Sequence, residues 1–124
     1  MSANQAGETH WIIPDAYIPP ESTGNLISHE SICVLNCNSE NVNLVFTIFF
    51  EVRPPMENIL VEVAGRRTKH IRTSSLEKDD KHIPLGVPYA IEINSDLPIV
   101  VQYSRLDTTQ AELALMSTMA FPLK

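Results

Sequence analysis

Short stretches of alternating apolar and polar residues, separated by prolines, run through this chain. Alternation with period two is the mark of a half-buried strand. Trp11-Ile12-Ile13 is a first strand, closed by Pro14, and Ser31 to Asn36 is a second. Cys37 to Asn41 reads as a turn, because Asn and Ser bond their own backbone. The longest strand is Asn43 to Val52, with Leu44, Phe46, Ile48 and Phe50 on one face. Its other face is half apolar, which predicts a place inside a sheet. Asn58 to Val63, Arg66 to Thr73, Tyr89 to Asn94 and Pro98 to Arg105 complete the clear set.

The stretch from Thr109 to Ala120 fits two descriptions. Its Ala, Leu, Met and Glu favour a helix, beginning near Gln110. Its alternation, Leu113 and Leu115 against Ala114 and Met116, favours a last strand, and the surrounding β pattern tilts the reading that way. Nine scattered prolines suit short strands joined by turns. The expected fold is all-β, a single antiparallel, jelly-roll-like β-sandwich over residues 9–124, with a short C-terminal helix as the one variation. Residues 1–8 are read as a flexible N-terminus.

Composition changes this picture little. With 124 residues the chain is one domain. The longest apolar run, Leu44 to Phe50, is strand-sized and far short of the ~18 residues that span a bilayer. The N-terminus has no secretory signal pattern, so a cytoplasmic location is expected. Cys33 and Cys37 have no second cysteine pair to complete a metal site, and are read as buried or half-buried free thiols.

Charge changes it more. The net charge is -6, yet four of the nine Lys and Arg residues, Arg66, Arg67, Lys69 and Arg72, fall in seven consecutive positions with His70 among them. As a strand this run would show Arg66, Thr68, His70 and Arg72 on one face. It is either a charged edge that blocks aggregation or the wall of a polar cleft or subunit seam. Two further polar groups bear on that choice. Gln102, Arg105, Asp107 and Glu112 follow an apolar strand, as side chains that line a site often do. His29 and Glu30 precede another strand, as a pH-tuned pair or a loop-fixing contact. Trp11 is either core or a platform for a sugar ring. No nucleotide loop, nucleophile elbow or zinc spacing is present, so neither catalytic residues, metal nor cofactor is expected. The acidic balance argues against general affinity for nucleic acid.

Three stretches taken together, Ile27 to Asn36, Ala64 to Arg72 and Pro98 to Asp107, followed by Gln110-Ala111-Glu112 and Leu115 to Thr118, carry a family likeness. With Trp11 and Tyr17-Ile18-Pro19-Pro20, the chain resembles the sensory rhodopsin transducer family of small soluble bacterial proteins. The resemblance implies a β-sandwich that assembles as a homotetramer and serves sensing or signalling, not catalysis. It implies a small polar ligand, a sugar or sugar acid, held by Trp11, His29, Glu30, Arg66, Arg67, His70, Arg72, Gln102, Arg105, Asp107 and Glu112. In that reading Arg66, His70, Arg105 and Gln102 donate to ligand oxygens and Trp11 stacks. The alternatives are a protein-interaction module that serves a rhodopsin-like membrane receptor, and weak DNA binding through the basic run. The tail Phe121 to Lys124 has no feature that points to a partner.

Overall fold

A computed structural model describes residues 6–110 and 113–124. Ten strands account for nearly all of its regular structure: β1 (Glu8–Tyr17), β2 (His29–Asn36), β3 (Val42–Phe50), β4 (Met56–Val63), β5 (Arg67–Arg72), β6 (Glu77–Lys78), β7 (Lys81–His82), β8 (Pro88–Asp107), β9 (Ala114–Met119) and β10 (Phe121–Leu123). Among the described residues the only helical element is a single 3-10 turn, Thr73–Ser75. The stretch that allowed a C-terminal helix forms β9, and Gln110 lies in a bend before it.

The strands make two antiparallel sheets that share one member. The first sheet runs β10-β1-β8-β3-β4, using the front half of β8; the second runs β9-β8-β2-β5, using its back half. The sequence suggests two strands where β8 is one, with a break at Pro98. The register explains why no break occurs. β3 pairs with β8 only as far as Ser95, and β2 begins to pair with it at Val100. Pro98 therefore sits between partners, where its missing N–H removes no bond from either of those ladders. The Asn38 amide donates to the Pro98 carbonyl at 2.8 Å, and Asn43 donates to Asp96 from both its backbone and its side chain. The backbone bond from Asn43 is the main reason the Asp96 carboxyl is held below its ordinary range.

Alternation decides what each sheet buries. Trp11 and Ile13 on β1, Leu44, Phe46 and Ile48 on β3, and Ile91 and Ile93 on β8 face inward from the first sheet. Ile32 and Val34 on β2, Ile71 on β5, and Val101 and Tyr103 on β8 meet them from the second. A side chain of this size contributes about 1.5–3 kcal/mol when fully buried, so this cluster drives the closure of the sandwich. As its half-apolar outer face predicts, β3 lies inside its sheet, between β8 and β4.

The chain changes sheets at the two open sides. On one, β4 and β5 are edge strands joined by a tight turn at residues 64–66. Gly65 is required there, since a Cβ on it would lie 2.1 Å from the Ser39 carbonyl oxygen. On the other side β9 and β10 are edges joined at Ala120, which is buried and donates its N–H to Val101 at 3.1 Å. The N-terminus is tied down from Gly7 onward. Gly7 has φ +99, and a Cβ on it would fall 1.8 Å from the Ile99 carbonyl oxygen. The charged stretch Glu77 to Lys81 makes a hairpin between β6 and β7 with a two-residue turn; Asp79 and Asp80 take positive φ (53 and 64), as such turns demand.

Candidate functional site

The residues marked out by the sequence separate into three places. The first is the interior. Glu30 follows the inward alternation of Ile32 and Val34, so its carboxylate lies inside the sandwich, 0 % exposed. Four donors converge on it. The Tyr89 hydroxyl donates to one oxygen; the Tyr103 hydroxyl, the Tyr17 N–H (2.9 Å) and the Arg105 Nε (2.7 Å) donate to the other. A second Arg105 nitrogen donates to the Tyr103 oxygen at 3.2 Å, and Thr73 Oγ1 lies 3.0 Å from the Tyr89 hydroxyl. Both sheets, β1 and the turn after β5 thus meet at one carboxylate.

The electrostatics follow from burial and from that charge. Burial first, and then the charge of Glu30, push the Tyr89 phenol far above its ordinary range. The Tyr103 phenol rises for the same first reason, followed by its hydrogen bond to Glu30. Burial works against the Arg105 charge, but the bonds to Glu30 and Tyr103 outweigh it and raise its pKa. Both phenols stay protonated and act as donors. No buried side-chain nitrogen or oxygen among the described residues lacks a hydrogen-bond partner. The interior therefore offers no unmet polar group to a ligand. Trp11, read as a stacking platform, is a core residue, 4 % exposed, with its indole N–H shared between the carbonyls of Glu8 and Ile99.

The second place is the outer face of the second sheet, opposite the parity of Ile32, Val34, Val101 and Tyr103. Here the register aligns His70 of β5, Cys33 of β2, Gln102 of β8 and Met119 of β9 in one row. The next row holds Arg72, Ser31, Ser104 and Ser117, and the one beyond it His29, Leu106 and Leu115. His29, His70, Arg72 and Gln102 therefore share a flat, mixed surface from which Glu30 and Arg105 are excluded. The His29 ring stays close to its own loop, with Nδ1 2.8 Å from the Ile27 carbonyl. The Cys33 thiol in the middle of the face is half-buried, and burial raises its pKa. Towards β9 the surface becomes apolar, with Leu115 76 % exposed and Met119 exposed on the same face, while Met116 pairs with Arg105 and lies on the other side of the strand.

The third place is the rim. Arg66 lies outside β5, in the turn, with φ 57; its side chain donates to the Cys37 carbonyl at 2.9 Å. This removes Arg66 from the expected face, which Thr68, His70 and Arg72 keep, because the turn breaks the alternation after Arg66. Arg67 donates to the carbonyls of Gly65 and Arg66, and Lys69 to that of Glu62. At the far end of the sheet Asp107 caps its own turn, accepting from the N–H and hydroxyl of Thr109; the hydroxyl bond, then the N–H bond, hold its carboxyl below the ordinary range. Glu112 lies outside the described residues. Sequence reasoning missed Tyr89, Tyr103 and Thr73. The usable signal was a Glu at a core-facing position of β2, which needs donors, and tyrosines at core-facing positions of β8, whose hydroxyls need partners.

No group of His, Cys, Asp and Glu among the described residues is arranged to hold a metal ion. None of the described helices is long and apolar enough to cross a membrane. Together these features define a small antiparallel β-sandwich with a locked polar interior and a flat, mixed outer sheet face. The family model described as Anabaena sensory rhodopsin transducer matches residues 6–122, and the chain belongs to that family. Its fold is similar to the crystal structure of Thermotoga maritima 1070, with TM-score 0.84 and 34 % identity over 96 % of this chain and 97 % of that one. It is also similar to the Anabaena sensory rhodopsin transducer, with TM-score 0.74 and 40 % identity over 86 % of this chain and 95 % of that one. No curated protein matches the sequence.

Proposed function

We propose that this chain is a soluble, cytoplasmic signalling partner of a rhodopsin-like membrane receptor, acting as a homotetramer and catalysing no reaction of its own. Family membership supports the receptor. The observation that carries the choice over ligand capture is the commitment of Arg105 to Glu30, which leaves the strongest candidate for an anion contact already occupied. What is left exposed, His70, Arg72 and Gln102 beside the apolar β9, is a flat surface suited to another protein. The exposed Leu115, Met116, Met119 and Phe121 supply the apolar area a subunit contact needs.

The test is binding to lipid nanodiscs carrying a microbial sensory rhodopsin, with empty nanodiscs as the control. Binding to loaded discs alone, weakened by His70→Glu with Gln102→Glu, supports the reading; equal binding to empty discs sinks it. Light scattering of the purified chain reads the oligomer directly, and a monomer at working concentration removes the tetramer.

A second reading rests on the row His70, Cys33, Gln102. Its polar ends flank a small residue, and Arg72 stands beside it, so a sugar acid could lie across the face with its carboxylate on Arg72. A thermal-shift screen of sugars and sugar acids separates the two readings: a saturable rise in melting temperature favours the ligand.

A further inference from the structure

The side of the sandwich where β4 and β5 meet carries a feature that the receptor reading leaves unused. β5 ends the second sheet, so alternate residues turn their N–H and C=O groups away from β2 towards solvent. Its six residues include Arg67, Lys69, His70 and Arg72 and no carboxylate. Among the described residues none of these four pairs with an acid: the ion pairs are His10–Glu92, His82–Glu77 and Arg105–Glu30. Arg67 and Lys69 reach only backbone carbonyls.

We propose that β5 is a docking edge for an extended acidic peptide, which adds to the second sheet as a further strand. The ladder would supply affinity through the free backbone groups of β5. Carboxylates on the outward side of the peptide would meet His70 and Arg72; Arg67 and Lys69 share the parity of Ile71 and flank the groove. Between β4 and β5 lies a groove of about 380 Å³ whose lining includes Ile59, Ile71 and Leu76. Alternate side chains of an added strand point into that groove, so the peptide that fits has apolar residues alternating with acidic ones.

Two carboxylates also line the groove, Glu62 and Glu77. Glu77 is paired with His82, and Glu62 belongs to β4, on the opposite wall. They favour apolar over acidic side chains inside the groove and leave the basic wall to β5. The cations also decide who is turned away. A second copy of β5 would set like charges opposite one another, which bars self-pairing. Nucleic acid is the poorer fit: the chain as a whole is at -6, and a phosphate backbone makes no use of a β-ladder.

This inference rests on the free edge of β5 and the receptor reading on the outer face and β9; Arg72 belongs to both, so the N-methylated peptide, which blocks only the edge, tells their failures apart. The probe is a short fluorescent peptide alternating Glu and Val, followed by anisotropy at physiological salt. Its controls are the same peptide N-methylated at alternate residues along one edge, a Lys–Val peptide and duplex DNA. The proposal expects saturable binding of the Glu–Val peptide. N-methylation should weaken it about tenfold or more, as should Arg72→Glu. Arg72→Gln, less perturbing and checked by thermal melting, should give an intermediate loss. Absence of saturable binding overturns the proposal. So does equal binding of the N-methylated peptide, which would mean charge attraction alone, and so does equal binding of the Lys–Val peptide or tighter binding of DNA.

Discussion

Replacing Glu30 with Ala should be among the most damaging single changes in this protein. The substitution removes the acceptor of four hydrogen bonds at once, from Tyr17, Tyr89, Tyr103 and Arg105. Each hydrogen bond to a charged group contributes about 1.5–3 kcal/mol, so a plain sum over four would reach roughly 6–12 kcal/mol. That sum overshoots. The Arg105 side chain is 23 % exposed and can turn to water, and the vacated space can admit water to the phenols. Breaking a buried pair from one side costs about 3–5 kcal/mol, and that is the expected loss. In a domain of this size each kcal/mol lowers the melting temperature by about 3–5 °C, giving a fall of roughly 10–20 °C. Arg105→Met should cost about 3 kcal/mol, because the fully buried carboxylate keeps two phenols and an amide but loses its counter-charge. Urea and thermal melts followed by circular dichroism measure both. A loss under about 1 kcal/mol for either variant would refute the reasoning.

Three further outcomes follow from the same structure. Tyr89 and Tyr103 have folded-state pKa values above that of a free phenol, so their contribution is complete below about pH 10 and is lost as pH rises beyond it; their phenolate absorbance should appear together with alkaline unfolding, and ionisation of both well before unfolding would contradict the burial argument. Gly65→Ala should cost about 2 kcal/mol or more, because its Cβ meets backbone at Ser39, and a chemical melt within ~0.5 kcal/mol of the parent would show that the turn gives way. Leu115→Lys with Met119→Lys should leave the melting of the isolated fold within a few degrees while lowering the assembly state seen by light scattering, since both side chains are exposed on an edge strand; an unchanged oligomer would move the subunit contact elsewhere.

The alternation in β2, β3 and β8 made the sandwich legible, because one-face burial imposes period two on the sequence. Cys33 and Cys37 are free and half-buried, as their spacing implies. Which polar residues meet could not be read in this way, since that depends on strand pairing across long sequence distances. Glu30 and Arg105 are 75 positions apart, and only the β2–β8 register makes them neighbours. The same pairing puts His70 and Gln102 on the opposite surface, so two residues grouped with Arg105 as ligand donors are separated from it by the thickness of a sheet. Arg66 was misplaced because its positive φ breaks the alternation at the turn, a local event that residue types alone do not announce. Trp11 allowed both roles from sequence, with core the commoner fate of a lone Trp in a first strand, and core is where it lies, its indole N–H within reach of two carbonyls.

The strand common to both sheets sets the order in which this protein can be made. β1 and β3 do not touch as strands; each is joined to its sheet through β8, and β2 reaches β9 only across it. While residues before Pro88 emerge from a ribosome, the chain can form the β3–β4 pair and the β2–β5 pair, but neither sheet has its centre. Apolar faces such as Leu44-Phe46-Ile48 stay uncovered until β8 arrives. Folding is therefore held until β8 has been made, and a nascent chain halted before it would be a client for chaperones, not a partly working protein.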